Sequence, residues 1–287
     1  MISKIKAVFK DAHLKVNEAD QAKELKRLGE LRAGSVGALM PDGSAYYSQC
    51  GRLAQARLLG EQQPPTAQMR AMFNGGFALE GFIESNLVAA GLEFTKEQPC
   101  SAEIAPGVVV HGRPDFDVKL GDEWVGVEVK SLASPTSVIK QVKNDFPFVK
   151  HLLQSAIYCI LLKRTRWLIV IGNAFYVNER GYRIEPGIRW YELRLDGGDK
   201  FIVENEKGVT IELPFKPQHL VDYYAEVLKS TEERRLMPRP TEGELKVDTY
   251  NRCNYCHMQN SCNQADNGQI DFEGWVGAVN PNKSSKP

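Results

Sequence analysis

Two carboxylates and a lysine in one strand-rich stretch set the chemistry to look for. Gly112-Arg113-Pro114-Asp115 is followed by Glu128-Val129-Lys130. Side chains alternate faces along a strand, so Glu128 and Lys130 point the same way. A Gly121-Asp122-Glu123 turn between the two runs predicts a hairpin that lays Asp115 near the pair. Hard oxygen donors from Asp115 and Glu128, with the Val129 carbonyl beside them, suit Mg²⁺ or Mn²⁺. Such an ion polarises a phosphodiester and lowers the pKa of an attacking water. Lys130 then orients that water or offsets developing charge. Asp117 shares the face of Asp115 as a reserve ligand. An acid followed by E-x-K is common on solvated hairpins, so the neighbours decide.

Upstream, Gly76-Phe77-Ala78-Leu79-Glu80 puts a further acid on a helix, with Glu84 one turn later as its alternative. Downstream, Gln154 and Tyr158 lie one helical turn apart on one face. Near the C-terminus, Cys253-x₂-Cys256-x₅-Cys262 is a compact thiolate loop. Dithiol exchange needs two cysteines; a third points to a metal, which then needs a fourth ligand. Cys50, in a polar context at the head of a helix, is the best candidate, and Cys100 is held in reserve. Cys159, inside an apolar run, reads as core.

The elements that must position these groups follow from periodicity. A polar helical pattern runs from about 12 to 32, and a Gly/Pro-rich loop follows. Ser48 opens a helix that stops at Gly60, and a second helix spans about 69–91. The strand pair around the Gly121 turn comes next, then a short helix at 135–144 and a firmer one from Pro147 to about Lys163. Four strand-like runs lie between 165 and 205, and a last helix covers 219–235. The end of the chain reads as disordered. Composition is that of a globular protein: 287 residues, 43% hydrophobic, with 36 basic and 36 acidic residues giving a formal charge of zero. That balance argues against coating duplex DNA by bulk electrostatics and leaves room for a local basic groove. No apolar run reaches membrane-span length, and the charged N-terminal stretch is unlike a signal peptide. A cytoplasmic address is expected, where six cysteines are thiols or metal ligands rather than disulfides. No phosphate-loop motif for ATP is present.

The order helical acid, G-x-x-D, E-x-K, Q-x-x-x-Y resembles the RecB-like branch of the PD-(D/E)xK nuclease superfamily. A distant cysteine before the core and three after it resemble the iron–sulfur staple of the AddB and Cas-four exonucleases, in the stand-alone or phage-encoded form. The resemblance implies an α/β fold: a restriction-endonuclease-like core with a mixed central sheet flanked by helices. It adds an iron–sulfur subdomain built from N- and C-terminal segments. It divides the chain into a cysteine-bearing helical segment (1–62), the nuclease core (63–235), a cysteine-cluster segment (236–270) and a disordered tail (271–287). It implies catalysis by Asp115, Glu128 and Lys130, and Mg²⁺ or Mn²⁺ on Glu80, Asp115, Glu128 and Val129. A [4Fe–4S] cluster on Cys50, Cys253, Cys256 and Cys262 follows, with zinc the competing metal. Gln154 and Tyr158 support the motif.

The implied activity is a DNA exonuclease on single strands or ends, 5′→3′, in CRISPR adaptation or phage DNA processing. An idle DNA-end-binding or assembly subunit is the alternative. Implied partners are DNA and CRISPR integrase proteins or a phage recombinase, with homo-oligomers as a further possibility. Arg52, Arg57, Arg113, Lys140, Lys143, Lys150 and His151 are candidate phosphate contacts. Phe146, Phe148 and Tyr158 are candidate stacking surfaces.

Overall fold

The computed structural model describes residues 29–42, 45–47, 50–60, 67–179, 181–239, 256 and 258–279, leaving aside the side chains of 46–47 and 67–75. Most of the expected first helix, Ser48 and Cys253 lie outside the described residues. The two last residues of that helix are instead a strand, β1 (Leu31–Arg32), pairing in parallel with Val110 and His111. The loop that follows contains a small hairpin of β2 (Gly37–Leu39) and β3 (Ala45–Tyr47). Next come α1 (Gly51–Leu58) and the long α2 (Ala67–Ala89), followed by β4 (Phe94–Lys96), β5 (Cys100–Ala105), β6 (Val108–Gly112), β7 (Phe116–Leu120) and β8 (Glu123–Ser131). Two helices, α3 (Pro135–Asn144) and α4 (Val149–Leu162), lead into β9 (Arg166–Asn173). Then follow β10 (Val177–Glu179), β11 (Tyr182–Ile184), β12 (Gly187–Asp196), β13 (Lys200–Asn205), β14 (Thr210–Glu212) and α5 (Pro217–Glu232). The chain closes on α6 (Gln259–Asp266) and α7 (Phe272–Val279).

The central sheet has seven strands in the order β14-β13-β12-β9-β8-β7-β4. Only β8 and β9 run parallel within it, so the chain must cross over between them, and α3 and α4 make that crossing. Ser134 caps α3 by accepting the Ser137 N–H at 3.2 Å, with Pro135 preset in the first turn. Alternation sorts the two faces. Phe116, Val118, Val127, Val129 and Val170 face α2, meeting Leu79, Ile83 and Leu87. Trp167, Ile169, Ile171, Tyr191 and Leu193 face α4. The α4 helix is buried almost all round, between the sheet and α5, which explains its near-unbroken apolar run.

The stretch 108–131 expected to form one hairpin is divided between two sheets. β7 and β8 do close across a two-residue Gly121-Asp122 turn, with Gly121 at φ +65°. β6, however, belongs to a separate three-stranded sheet with β5 and β1. Pro114 lacks an N–H and ends the ladder, so Arg113 to Asp115 carry the chain from one sheet to the other.

The segment 271–287, expected to lack order, opens with α7. Its Trp275 is fully buried among Ala56, Met258, Cys262 and Val279, with Leu53 and Leu59 of α1 against them. Polar groups latch the same junction. Arg52 donates from Nε to the Met237 carbonyl (2.7 Å), from Nη1 to the Cys262 carbonyl (3.4 Å) and from Nη2 to Asp266 (2.5 Å). Gln55 donates to the Arg235 carbonyl at 2.7 Å and accepts the Met237 N–H at 3.2 Å. Arg52 is therefore a buried clamp, not the phosphate contact expected of it. Truncating a buried, charged partner strands the groups it satisfied and costs about 2–4 kcal/mol. We predict that Arg52→Ala lowers the denaturant midpoint accordingly and exposes 258–279 to proteolysis. An unchanged midpoint and cleavage pattern contradicts the clamp.

Candidate active site

The β7–β8 ladder stops at Phe116↔Val127, which leaves the edge of β8 beyond it without a strand partner. Asp115 fills that gap. Its Oδ2 accepts the Val129 N–H at 2.7 Å, and its carbonyl accepts the Glu97 N–H at 3.0 Å. Along a strand a residue's N–H and C=O point to the same side, so the Val129 carbonyl opens toward this edge too. On the α4 face of β8, the Lys130 ammonium lies against Glu128 Oε1. Glu80 reaches the group from α2, near enough for its charge to act on Asp115, Glu128 and Lys130. Sequence spacing thus located four groups that the fold gathers: Glu80, Asp115, Glu128 and Lys130. Glu84 instead pairs with Lys96, and Asp117 is held by Arg164 Nη2 at 2.6 Å, so neither reserve ligand is available.

Burial and like charge make the cluster short of a cation. Glu128 is fully buried, and that burial, reinforced by Asp115 and opposed by Lys130, pushes its carboxyl up to about 8. Burial also raises Asp115, while Lys130 and the Val129 N–H pull the other way. Glu80 is raised by burial and then by Asp115 and Glu97. Burial lowers Lys130, but Glu128, Asp115 and Glu80 outweigh it, and the ammonium ends above its ordinary range. Glu128 Oε2 is buried and meets no donor. An orphaned carboxylate oxygen beside Asp115 and an outward carbonyl is a donor set that fits a hard divalent cation. Among the described residues no three His, Cys, Asp or Glu side chains already form a metal-holding group.

Two glycines and two aromatic rings hold this geometry. Tyr158 stacks on Trp167 with centroids 5.2 Å apart and planes 12° from parallel. A Cβ on Gly126 would sit 2.2 Å from the Trp167 ring, and one on Gly112 2.5 Å from Tyr158. The Tyr158 hydroxyl accepts the Arg113 N–H at 3.1 Å and is bonded to Gln154, fixing the turn that delivers Asp115. The glycine of G-x-x-D is thus a steric requirement. Gly126 and Trp167 escaped the sequence reading; a glycine in mid-strand among valines was the available signal.

Several expected contacts are corrected. Tyr158 and Phe148 are buried and offer no stacking surface, and His151 is buried against Phe148. Arg113 is exposed but ion-paired with Glu97 at 3.0 Å. Lys143 lies over Tyr182 and Lys150 over Phe148. Cys159 is core as expected, its thiol pushed up to about 12 by burial. Cys100 packs beside Gly112, in a different cluster from Cys256 and Cys262. Cys50 heads α1, which packs on that C-terminal cluster, and the Trp275 Nε1 donates to Cys262 Sγ at 3.4 Å.

Residues 18–263 match the model of the PD-(D/E)XK nuclease superfamily, and the chain belongs to that superfamily. It is a nuclease of this fold, whose members typically use Mg²⁺ or Mn²⁺. Among solved structures the chain is similar to an alkaline exonuclease (LHK-Exo) from Laribacter hongkongensis. Identity is 16%, covering 74% of this chain and 95% of that one, at a TM-score of 0.44. The same enzyme in complex with dAMP gives 15% identity, 73% and 91% coverage and a TM-score of 0.41. SSO0001 gives 16% identity, 66% and 70% coverage and a TM-score of 0.38. Comparison with curated proteins yields no match. No described helix is long and apolar enough to cross a membrane.

With burial pushing the Glu128 carboxyl up to about 8, a cation that binds it below that pH has a proton to displace. Mn²⁺ affinity should rise about tenfold per pH unit up to about pH 8 and then level off. Thermal shifts induced by Mn²⁺ from pH 6 to 9 measure this. A shift independent of pH speaks against Glu128 as a ligand.

Proposed function

We propose that this protein is a metal-dependent DNA exonuclease that hydrolyses phosphodiester bonds in single strands or at DNA ends. In this reading Asp115, Glu128 and Lys130 face the scissile phosphate. The observation that carries it is the buried Glu128 carboxylate, one oxygen orphaned, between Asp115 and Lys130. Asp115, Glu128 and the Val129 carbonyl, with Glu80 alongside, would hold Mg²⁺ or Mn²⁺, which would supply Lewis-acid polarisation of the phosphate and lower the pKa of the attacking water. The chain's own residues do the rest. Lys130, kept protonated by its carboxylates, donates hydrogen bonds to the attacking water and to the phosphate oxygens, offsetting charge as the P–O bond breaks. The Val129 N–H fixes the rotamer of Asp115, and the Tyr158–Trp167 stack fixes the turn that carries it.

Support for action on strands or ends with 5′→3′ polarity comes from the motif order shared with iron–sulfur exonucleases. A [4Fe–4S] cluster on Cys50, Cys253, Cys256 and Cys262 belongs to the same reading, with zinc the competing metal. The helix headed by Cys50 packs on the apolar cluster that holds Cys256 and Cys262. These three cysteines do not form a metal-holding group among the described residues, so this part of the reading rests on motif order.

End-labelled single-stranded DNA with Mg²⁺ or Mn²⁺ tests the activity. Asp115→Ala and Lys130→Ala should each cut at least about 10²-fold more slowly than the parent. Digestion at the parental rate removes these residues from the mechanism. Tight DNA binding by the parent with no cleavage under either metal favours the end-binding subunit instead. For the cluster, Cys262→Ser should lose visible absorption and iron together. A colourless parent with stoichiometric zinc overturns it.

A further inference from the structure

A polar cavity stands on the same face of the sheet as Glu128 and Lys130. Lys130 pairs in register with Ile171, and Ile171 with Arg189, so these three side chains share one face. Two strand spacings separate the lysine from the arginine, about 10 Å. Beyond that row the ends of β9, β12 and β13 open into a cavity of about 400 Å³, lined among others by Asn173, Glu185, Arg189, Tyr191, Glu206 and Lys207. Its size falls in the range of small-ligand sites.

Most charges there are already engaged. Lys207 Nζ pairs with Asp145 at 2.7 Å, and Glu206 Oε1 accepts the Trp190 N–H at 3.0 Å. Arg189 differs. It is bonded to the Tyr191 hydroxyl, which also accepts from Gln141 Nε2 at 3.0 Å. No carboxylate among the described residues forms an ion pair with it. A guanidinium held by a buried tyrosine, with its remaining donors facing a cavity, is a preformed phosphate contact. The Asn173 Nδ2 is spent on the Phe175 and Glu185 carbonyls (2.9 and 3.2 Å). Around Arg189 the Asn173 Oδ1 and the Glu185 and Glu206 carboxylates therefore offer acceptors, of the kind that the amino and imino donors of a base edge need.

We propose that this cavity receives the nucleotide flanking the scissile phosphate, with Arg189 on that nucleotide's own phosphate. The inference rests on the nuclease reading above and extends it to a substrate subsite along the strand.

The test is fluorescence anisotropy of labelled oligothymidylate at several salt concentrations, with Ca²⁺ replacing Mg²⁺. Each phosphate contact on a single strand contributes about 0.7 to the slope of log affinity against log salt. Arg189→Ala should bind about tenfold more weakly at low salt and lose about 0.7 of that slope. Arg189→Gln, which keeps a donor for Tyr191 but removes the charge, should lose the same slope, and serves if the alanine variant does not fold. Arg194→Ala, on the opposite face of β12 and paired with Glu204, should bind like the parent. The inference is overturned by a parental slope in both Arg189 variants, by an equal loss in Arg194→Ala, or by absent binding in the parent. Cleavage is read separately. An Arg189-dependent slope in a parent that cuts nothing keeps the subsite and removes the catalytic reading.

Discussion

A carboxylate with no access to water governs this molecule. Glu128 sits at 0% exposure on β8, inside the central sheet, where an ion is costly unless compensated. Lys130, two residues along the same strand, meets one of its oxygens; the other is left without a donor. Asp115 and Glu80 then add negative charge where charge is already expensive. A fold optimised for stability alone would replace such a group by apolar residues of similar volume. Its retention is intelligible if a divalent cation completes it.

The topology makes the opening for that cation. The parallel step from β8 to β9 forces a helical crossover, while antiparallel β7 starts only at Phe116, because the chain reaches it from another sheet through Pro114. The strand edge this leaves is where Asp115 meets Val129. Holding the diversion in place falls to the Tyr158–Trp167 stack, which needs bare backbone at Gly112 and Gly126. The backbone turn, the two glycines and the Q-x-x-x-Y helix are parts of one support for a single aspartate.

That Asp115, Glu128 and Lys130 come together was legible in the sequence because the logic is local. E-x-K shares a strand face by the period of two, and the Gly121 turn brings Asp115 within reach. Helices around Glu80 and Gln154 declared themselves by period, the first also by its Gly91 stop and the second by its Pro147 start. What was misread depended on distant partners. Arg52 has the composition of a phosphate contact until Met237, Cys262 and Asp266 arrive from far along the chain. Tyr158 and Phe148 look like stacking platforms until the sheet covers them. The α7 helix lacks a strong local pattern and is explained by burying Trp275 against α1. Leu31–Arg32 follows a helical pattern but finds a strand partner in β6.

The central claim is that Asp115 and Glu128 share a divalent cation. Anomalous scattering from crystals soaked in Mn²⁺ above pH 8 measures it directly. The account predicts a peak within bonding distance of both carboxylates and close to the Val129 carbonyl, lost in Glu128→Gln. A peak elsewhere, or one that survives that substitution unchanged, contradicts it.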